Sequence, residues 1–417
     1  MNHKRFYQYG CWNNLICGKS GEQKNVVNAI NRYTKKYPGE FLIITGDNYY
    51  PEKVSVQMLD DTTGEKIEGE KDKIKLYDQE IMDAGFDCIG QINIPKKYLL
   101  LGNHDVEQLT FYKDASTVIP KKIKKSDFPR FKESLNKLAD KCTIIENELR
   151  NSENLEFKKP LLADRIPLES ETTIIIAIDT SIFEIKSKMN ANSDSKLIEC
   201  YQKIPELKQP QIKSIDDVYD YVCQRVLEIV KTEAQDKTNI IFAGHHPIIT
   251  FKMKKNKVKL DGAYNLGYFL QEICNELPDT TNYYYLCADV HHYQKGDITI
   301  SSPKYKPMRI QQYITGTGGA DLDEKIPTPR EDTDGDIHYV MHDSVKTNGF
   351  LECILINDNT LKFNFIDVKN KSLFKSNRRT SVARSVTPRR KSKTRTTARK
   401  LKDRRLRDQE ILVSKSI

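Results

Sequence analysis

Short runs of β-branched and aromatic residues recur along the chain and alternate with amphipathic stretches. The runs predict buried strands at Phe41–Thr45, Tyr98–Leu101, Thr173–Ile178, Asn239–Ala243 and Tyr283–Cys287. Between them, apolar residues at helical spacing predict helices at Glu22–Tyr37, Lys75–Ala84, Phe131–Lys141, Ile215–Thr232 and Asn265–Asn275. Strands that alternate with helices of this length indicate βαβ units, and therefore an α/β fold with largely parallel strands.

The last third of the chain has a different pattern. Three predicted strands, Gln312–Thr315, Phe350–Ile356 and Leu361–Val368, follow one another with only turns between them, which indicates an antiparallel edge. Asp358–Asn359 is the expected hairpin turn. The expected architecture is thus an α/β sandwich with mixed sheets.

Three segments interrupt this regular pattern. Gln57–Lys75 is charged and contains glycine, as surface loops do, and residues 107–170 are rich in Lys and Glu, which predicts a helical insertion or lid. From about Ser372 onward the chain has too few large apolar residues to form a core, which predicts disorder. We therefore predict one α/β domain over residues 1–370 and a basic, Ser/Thr/Arg/Lys-rich disordered tail over 371–417.

Composition indicates the cellular compartment in which the protein is expected. No run of 18 or more apolar residues occurs, so no transmembrane segment is expected, and no apolar stretch follows the polar N-terminus as in a secretory signal. The 9 cysteines are odd in number and contain no C-x-x-C pair, which favours reduced thiols. We expect an intracellular protein that is not secreted; the cytoplasm, the nucleus and a virion are all compatible with this composition.

Four of the predicted strands end in blocks of residues that can bind metals. The blocks are Gly46-Asp47-Asn48-Tyr49-Tyr50, Gly102-Asn103-His104-Asp105, Gly244-His245-His246-Pro247 and Ala288-Asp289-Val290-His291-His292. A single block of this kind is an ordinary turn, but four in order, each directly after a strand, indicate one site at the carboxyl ends of a sheet.

These blocks resemble the motifs of the calcineurin-like metallophosphoesterases, which include Gly-Asp, Gly-Asn-His-Asp/Glu, Gly-His and Gly-His-x-His. Three details are similar to the purple acid phosphatase branch: Tyr50 three residues after Asp47, the Gly-His-His-Pro block, and Gly316-Thr317-Gly318-Gly319 after a late strand. The resemblance covers about residues 5–368 and implies a four-layer α/β/β/α sandwich with mixed sheets.

The resemblance also implies roles for individual residues. Asp47 would bridge two metal ions, Tyr50 and His291 would bind the first ion, and Asn103 and His245 would bind the second. His104 would lie near the phosphate as an acid or a charge stabiliser, so His104 and Asp47 are the implied catalytic residues. Four side chains are expected behind the ligands or facing the substrate: Asn13, Asp105, His246 and His292.

The sequence departs from the family pattern at two metal positions. Cys11 occupies the position of the first aspartate, and no aspartate precedes Asp47. Either the Cys11 thiolate or the Asn13 carbonyl could replace that ligand, or the first ion binds weakly. Asp289 occupies the position of a histidine that would bind the second ion, and a carboxylate is an acceptable substitute there.

The expected chemistry is hydrolysis of a phosphate ester by a hydroxide held between two divalent or trivalent metal ions, with Fe, Mn and Zn as the candidates. A phosphomonoester substrate is favoured by the resemblance of the block around Asp47 to the acid phosphatases. Two alternatives stay open: a phosphodiesterase or nuclease, and a degenerate phosphoesterase fold that serves as a nucleic-acid-binding or virion protein. Cys11 and Asp289 support the second alternative.

The basic charge of the chain is concentrated in the predicted tail. Residues 375–407 hold all the excess positive charge of a chain whose net charge is +9, and Asp403 is their one acidic residue, so the remainder is net acidic. Such a segment binds polyanions such as nucleic acid without sequence specificity. The residues assigned to this binding are Arg378, Arg379, Arg389, Arg390, Lys391, Arg404 and Arg405.

Deletion of residues 375–417 tests the role of the tail. We expect the truncated protein to lose most of its affinity for a random-sequence oligonucleotide, together with the salt dependence of that affinity, because counterion release requires the clustered cations. Fluorescence anisotropy at several salt concentrations measures both. Binding that survives the deletion would show that the tail is not the polyanion site.

Overall fold

The computed structural model describes residues 3–13, 21–50, 52–76, 79–106, 121–138, 158–188, 195–204, 207 and 212–370. In chain order the strands are β1 (His3–Tyr9), β2 (Phe41–Thr45), β3 (Glu52–Leu59), β4 (Lys66–Leu76), β5 (Lys96–Leu100), β6 (Lys122–Lys124), β7 (Lys158–Leu161), β8 (Ala163–Ile166), β9 (Thr173–Ile178), β10 (Asn239–Ala243), β11 (Thr250–Lys254), β12 (Lys257–Asp261), β13 (Asn282–Cys287), β14 (Tyr293–Ile300), β15 (Met308–Thr315), β16 (Arg330–Asp334), β17 (Ile337–Val345), β18 (Gly349–Ile356) and β19 (Thr360–Asp367). The helices are α1 (Gly21–Thr34), α2 (Gln79–Gly90), α3 (Asn103–Val106), α4 (Phe128–Leu138), α5 (Ser181–Lys188), α6 (Ser195–Gln202), α7 (Ile215–Glu233) and α8 (Tyr264–Ile273).

Two mixed sheets form the centre of the fold. The six-stranded sheet has the order β19-β18-β1-β2-β5-β7, and the eight-stranded sheet has the order β16-β17-β14-β15-β13-β10-β9-β8. Strands β1, β2 and β5 are parallel in the first sheet, and β9, β10, β13 and β15 are parallel in the second. Every residue of β2, β9 and β10 is buried, as expected for parallel strands covered on both faces.

The apolar core has three layers that together define an α/β/β/α sandwich. Between the sheets, Ile43 and Leu100 of one sheet pack with Ile241 and Leu286 of the other. The outer face of the six-stranded sheet packs against α1 and α2, and the outer face of the eight-stranded sheet packs against α5, α7 and α8. The α/β fold predicted from the alternation of strands and helices is thus confirmed.

Helix α7 illustrates how local sequence fixes an outer layer. Ser214 caps its first turn by accepting a hydrogen bond from the Asp217 backbone N–H, and the Asp217 carboxylate accepts one from the Ser214 backbone N–H. Val218, Val222 and Val226 recur every four residues and are fully buried against the sheet. The cap sets where the helix begins, and the valine stripe sets which face it buries.

The prediction of a surface loop at Gln57–Lys75 was wrong. This segment forms most of the antiparallel hairpin β3–β4, and β6 adds a third strand beside β3. The Asp60 carboxylate accepts hydrogen bonds from the backbone N–H groups of Thr62 and Thr63 and so shapes the turn. The charged residues that fill most of Gln57–Lys75 hid the strands, although Val54, Val56 and Met58 of β3 alternate with polar residues.

The prediction for the last third was wrong in one respect. Strands β16 and β17 lie between β15 and β18, so the three predicted strands do not follow one another, and β15 and β18 belong to different sheets. Strands β18 and β19 do form an antiparallel hairpin. Its left-handed turn residues are Asn357 and Asp358 rather than Asp358 and Asn359.

The range 107–170 is only partly an insertion. Residues 158–166 supply β7 and β8, which extend the edges of the two central sheets, and α4 lies at Phe128–Leu138. Residues 107–120 and 139–157 fall outside the described part, as does the predicted tail from residue 371. Among the described residues, no helix combines the length and the apolar character that a membrane span requires.

The core between the sheets gives a stability test. Replacing Ile241 with Ala should lower the free energy of unfolding by about 2–5 kcal/mol, because it leaves a cavity at a fully buried position between two sheets. Met253→Ala is the matched control, since Met253 is 36% exposed and should cost less than about 0.5 kcal/mol. Urea unfolding measures both, and equal costs for the two variants would contradict this packing.

Candidate metal centre

The predicted metal-binding residues come together at the carboxyl ends of parallel strands from both sheets. Cys11 follows β1, Asp47 follows β2, and Asn103 follows β5 in the six-stranded sheet, while His245 follows β10 and Asp289 follows β13 in the eight-stranded sheet. Backbone hydrogen bonds join neighbouring loops: the Cys11 N–H bonds to the Gly46 carbonyl at 3.1 Å, and the Ala288 N–H bonds to the His245 carbonyl at 2.9 Å. The site therefore lies where the two sheets meet.

Three of these loops have a backbone that non-glycine residues rarely adopt. Cys11, Asp47 and Asp289 have φ angles of 55°, 53° and 58°, in the left-handed region. Such conformations persist only where surrounding contacts impose them, and they cluster at functional sites. Gly102 allows the closest approach, because a Cβ there would lie 2.3 Å from the Asp47 backbone nitrogen.

Asp47 is the common partner of the surrounding groups. Its Oδ2 accepts a hydrogen bond from the Tyr50 hydroxyl at 2.7 Å and lies 3.7 Å from the Cys11 sulfur. Its Oδ1 accepts the His104 backbone N–H at 3.2 Å and lies 3.3 Å from His245 Nε2. Burial raises the pKa of Asp47, but the imidazoles of His245 and His104 outweigh burial and hold this pKa well below its usual range.

The two predicted histidine ligands are oriented by backbone carbonyls. His245 Nδ1 lies 2.7 Å from the Thr45 carbonyl oxygen, and His291 Nδ1 lies 2.8 Å from the Asp321 carbonyl oxygen. A carbonyl requires a proton on the nitrogen that faces it, so the neutral form of each ring presents an Nε2 lone pair to the site. Burial lowers the pKa of His245, but the Asp47 carboxylate outweighs burial and raises it to about 9. With that pKa, His245 keeps a proton on Nε2 at neutral pH, and a cation bound at Nε2 would displace this proton.

The remaining predicted ligands complete the cluster. The Tyr50 hydroxyl lies 3.1 Å from His291 Nε2, and Asn103 Oδ1 lies 3.1 Å from His245 Nε2. The His104 ring packs on the Tyr50 ring, with 4.8 Å between their centroids. Donor atoms of Cys11, Asp47 and His245 all lie within 4.8 Å of one another. Six predicted ligands are thus brought together: Cys11, Asp47, Tyr50, Asn103, His245 and His291.

The chemistry of this donor set fits a transition metal ion. Thiol, carboxylate, phenol and imidazole donors suit Fe, Zn or Mn. Burial and the Asp47 carboxylate raise the pKa of the Cys11 thiol, and the same two causes raise that of the Tyr50 phenol, well above their ordinary values. Both groups are therefore protonated without a cation beside them, and binding of a metal would release protons.

The position predicted for the second metal ion is already approached by a lysine side chain. Donor atoms of His245, His246 and Asp289 lie within 4.8 Å of one another, but the Lys252 ammonium is 2.6 Å from Asp289 Oδ2. Lys252 is on β11, and burial lowers its pKa less than the surrounding carboxylates, led by Asp289, raise it. The Asp289 carboxylate thus already carries a cation that belongs to the protein.

Both ring nitrogens of His246 face polar side chains behind the cluster. The Thr180 hydroxyl oxygen accepts the backbone N–H groups of His245 and His246 at 3.0 and 2.9 Å and lies 3.1 Å from His246 Nδ1. His246 Nε2 lies 3.0 Å from the Glu184 carboxylate, without the geometry of a hydrogen bond. His246 thus lies behind His245, and its predicted supporting role stays a prediction.

The other three residues expected behind the ligands, Asp105, His292 and Asn13, have three separate environments. The Asp105 carboxylate accepts hydrogen bonds from the backbone N–H groups of Gly102 and Asn48, and thereby ties the Asn103 loop to the Asp47 loop. His292 bonds to Gln294 at 2.8 Å; burial lowers its pKa to about 4, although the Asp323 carboxylate opposes this. The side chain of Asn13 lies against the position of Gly85 in α2.

Sequence motifs did not indicate several residues that act at the site. Lys252, Glu184, Asp321 and Asp323 were not among the predicted site residues, whereas the Asp179-Thr180 pair after the predicted strand Thr173–Ile178 indicates a structural role or the orientation of a ligand. Thr180 follows β9 as the other site residues follow their strands, so its position was a usable signal. Lys252 gave no such signal, because its approach depends on the β11–β12 hairpin rather than on a strand end.

A cavity of about 420 Å³ begins at Lys252, but neither His104 nor any of the six ligands brought together lines it. Lys254, Lys255, Asp323 and Glu324 are among its other lining residues. His292 also lines it, next in the chain to His291, and the Asp323 carboxylate accepts the His291 backbone N–H at 2.9 Å. The volume is in the range of small-molecule sites.

No family model matches the sequence, and no curated protein matches it. Solved structures with a similar fold include GAP50, the anchor in the inner membrane complex of Plasmodium, at 11% identity and a TM-score of 0.42, over 89% of this chain and 86% of that one. Purple acid phosphatase PPD1 from yellow lupin (Lupinus luteus) is 12% identical with a TM-score of 0.44, over 88% of this chain and 52% of that one. PhoD is 9% identical with a TM-score of 0.43, over 85% of this chain and 64% of that one. Similarities this distant carry no information about the activity of this chain.

Tyr50 offers a spectroscopic test of the cluster. Protein loaded with Fe(III) should show a visible phenolate charge-transfer band, and Tyr50→Phe should abolish that band while leaving the thiolate band that Cys11 would give, because the phenol oxygen lies beside Asp47 and His291. Tyr305→Phe, in the surface turn between β14 and β15, is the matched control and should keep the band. A wild-type protein that binds Fe(III) at the cluster without colour would contradict ligation by Tyr50.

Proposed function

We propose that the chain is a metal-dependent hydrolase of phosphate esters, with monoesters as the favoured substrates. The observation that carries the proposal is the convergence of Cys11, Tyr50 and His245 on the buried Asp47 carboxylate at the junction of two sheets, with His291 beside Tyr50. Donors of this kind, held in left-handed loops, are arranged for an ion rather than for core packing.

The same residues would hold the metal. Asp47, Cys11, Tyr50 and His291 would bind one ion, and Asn103 and His245 are the donors available for another. A bound ion would polarise the phosphoryl group and neutralise the charge that develops during displacement. The Thr45 and Asp321 carbonyls keep the imidazoles in the required orientation, so little reorganisation is needed on binding.

We assign assistance of the leaving group to His104. Its backbone N–H binds Asp47 and its ring packs on Tyr50, which fixes the imidazole at the edge of the cluster while leaving it partly exposed. A histidine at this position can give a proton to the departing oxygen or stabilise its charge. This is the role expected from the Gly-Asn-His-Asp block.

The cations near the cluster favour a monoester. Lys252 lies beside Asp289 and lines the neighbouring cavity together with Lys254 and Lys255, and a monoester dianion gains more from that field than a diester, which carries a single charge. Asp323 and Glu324 also line this cavity and disfavour a long polyanionic substrate. We also propose that polyanions such as nucleic acid bind through the tail, separately from this site.

A non-catalytic phosphoesterase-like fold is the second candidate. The observation that favours it is the ion pair between Lys252 and Asp289, which engages a carboxylate that a second ion would need. Under this alternative the cluster would bind no metal or one metal without turnover, and the protein would act through its surfaces.

Assays with p-nitrophenyl phosphate and bis-p-nitrophenyl phosphate, with Mn, Fe or Zn added, separate the candidates. Metal-stimulated turnover of the monoester is expected. Asp47→Asn and His104→Ala should each lower it by about 10²–10⁴-fold, because they remove the common carboxylate and the assisting imidazole. His338→Ala on β17 is the matched control, because the His338 ring bonds to Thr333 rather than to a residue of the cluster. This variant should change the turnover less than about twofold.

The rates with the two esters and the metal content distinguish the three candidate functions. Faster turnover of the diester would favour the phosphodiesterase alternative. Turnover of neither ester, combined with less than about one bound ion per chain, would reject both enzymatic functions and leave the non-catalytic one.

A further inference from the structure

Lys252 is held at the predicted second metal position by the structure of its own hairpin. Phe251, the preceding residue, is fully buried and stacks on Tyr339, and its carbonyl accepts a hydrogen bond from the Gln294 side chain at 2.8 Å. Strand alternation then turns Lys252 away from that core. The opposite residue in the β11–β12 register, Lys259, is exposed.

The Lys252 ammonium is closest to Asp289. Its Nζ lies 2.6 Å from Asp289 Oδ2 and 3.6 Å from Asp261 Oδ2. Asp261 is shared with Lys254, whose Nζ is nearer to it at 2.9 Å. With side chains only 25% and 18% exposed, Lys252 and Asp289 form a pair that is shielded from much of the screening by water.

The other donors near Asp289 cannot easily replace its charge. His246 Nδ1 lies 3.1 Å from the Thr180 hydroxyl, and its Nε2 already lies 3.0 Å from a different carboxylate, that of Glu184. The other donors on this side, Asn103 Oδ1 and His245 Nε2, carry no negative charge when they bind a metal. An ion bound here would therefore depend on Asp289 and on Asp47, and it would lie close to a lysine cation that repels it.

We propose that the Lys252 ammonium takes the place of one metal ion, so that the site binds a single ion and uses Lys252 as its second cation. The inference rests on the proposed function and specifies its metal content. The ammonium supplies up to three N–H donors and one positive charge, which is enough to bind a phosphoryl oxygen opposite the ion held by Asp47, Cys11, Tyr50 and His291. Asp289 then positions the lysine rather than binding a metal.

Metal stoichiometry tests the inference without relying on turnover. Isothermal titration with Mn(II), supported by elemental analysis after desalting, should give about one ion for the wild-type chain and about two for Lys252→Met, because removal of the ammonium frees Asp289. Lys259→Met, which removes the opposite lysine of the same hairpin, should keep about one. Lys252→Arg should also keep about one, since it retains the charge.

Two further variants secure the interpretation. If Lys252→Met fails to fold by circular dichroism, Lys252→Gln takes its place, because its amide can still donate a hydrogen bond to Asp289. Adding Asp289→Asn to either neutral variant should return the stoichiometry to about one ion, since the second position loses its carboxylate.

The possible results separate the inference from the proposed function. Two ions in the wild type, or one ion in a folded neutral variant of Lys252, would overturn the inference alone. One ion in the wild type and two in the neutral variant supports it even if no ester is hydrolysed. No bound ion in any variant would overturn both the inference and the metal-dependent function.

Discussion

The site depends on one buried carboxylate that residues from both sheets share. Asp47 contacts Cys11, Tyr50 and the His104 backbone on its own side, and His245 from the opposite sheet. An isolated buried carboxylate is unfavourable, so each of these contacts contributes to keeping Asp47 ionised. The left-handed backbone of three site residues is maintained by the same meeting of loops.

The position of the site follows from the architecture. Parallel strands of both sheets end at the line where the sheets meet, and the packed layers around them leave little freedom to the loops that follow. Backbone carbonyls orient His245 and His291, and Asp105 joins the loops of Asp47 and Asn103. The fold thus prepares the donors before any ion binds, while the β11–β12 hairpin adds a lysine from outside this arrangement.

The structural features that could be predicted from the sequence are those with a strong local pattern of residues. Buried strands such as Asn239–Ala243 and the polar blocks after them were visible, and so was the unusual Cys11. Hairpin β3–β4 was missed because charged residues fill most of it, and β16 because all of its residues are polar or charged. Strand β17 was missed although its buried Ile337, Tyr339 and Met341 alternate along the chain. Lys252 could not be found, since its place beside Asp289 arises from hairpin pairing and tertiary packing that no motif encodes.

The central claim is that Asp47 and its neighbours form a metal centre. Anomalous diffraction from crystals grown with Mn(II) tests it most directly, because it locates the ion independently of activity. The account predicts a strong anomalous peak at roughly 2.0–2.3 Å from Asp47 and from His291, with Cys11 and Tyr50 around it. Crystals that contain manganese but show no peak at Asp47, or show it only at other carboxylates, would contradict the account.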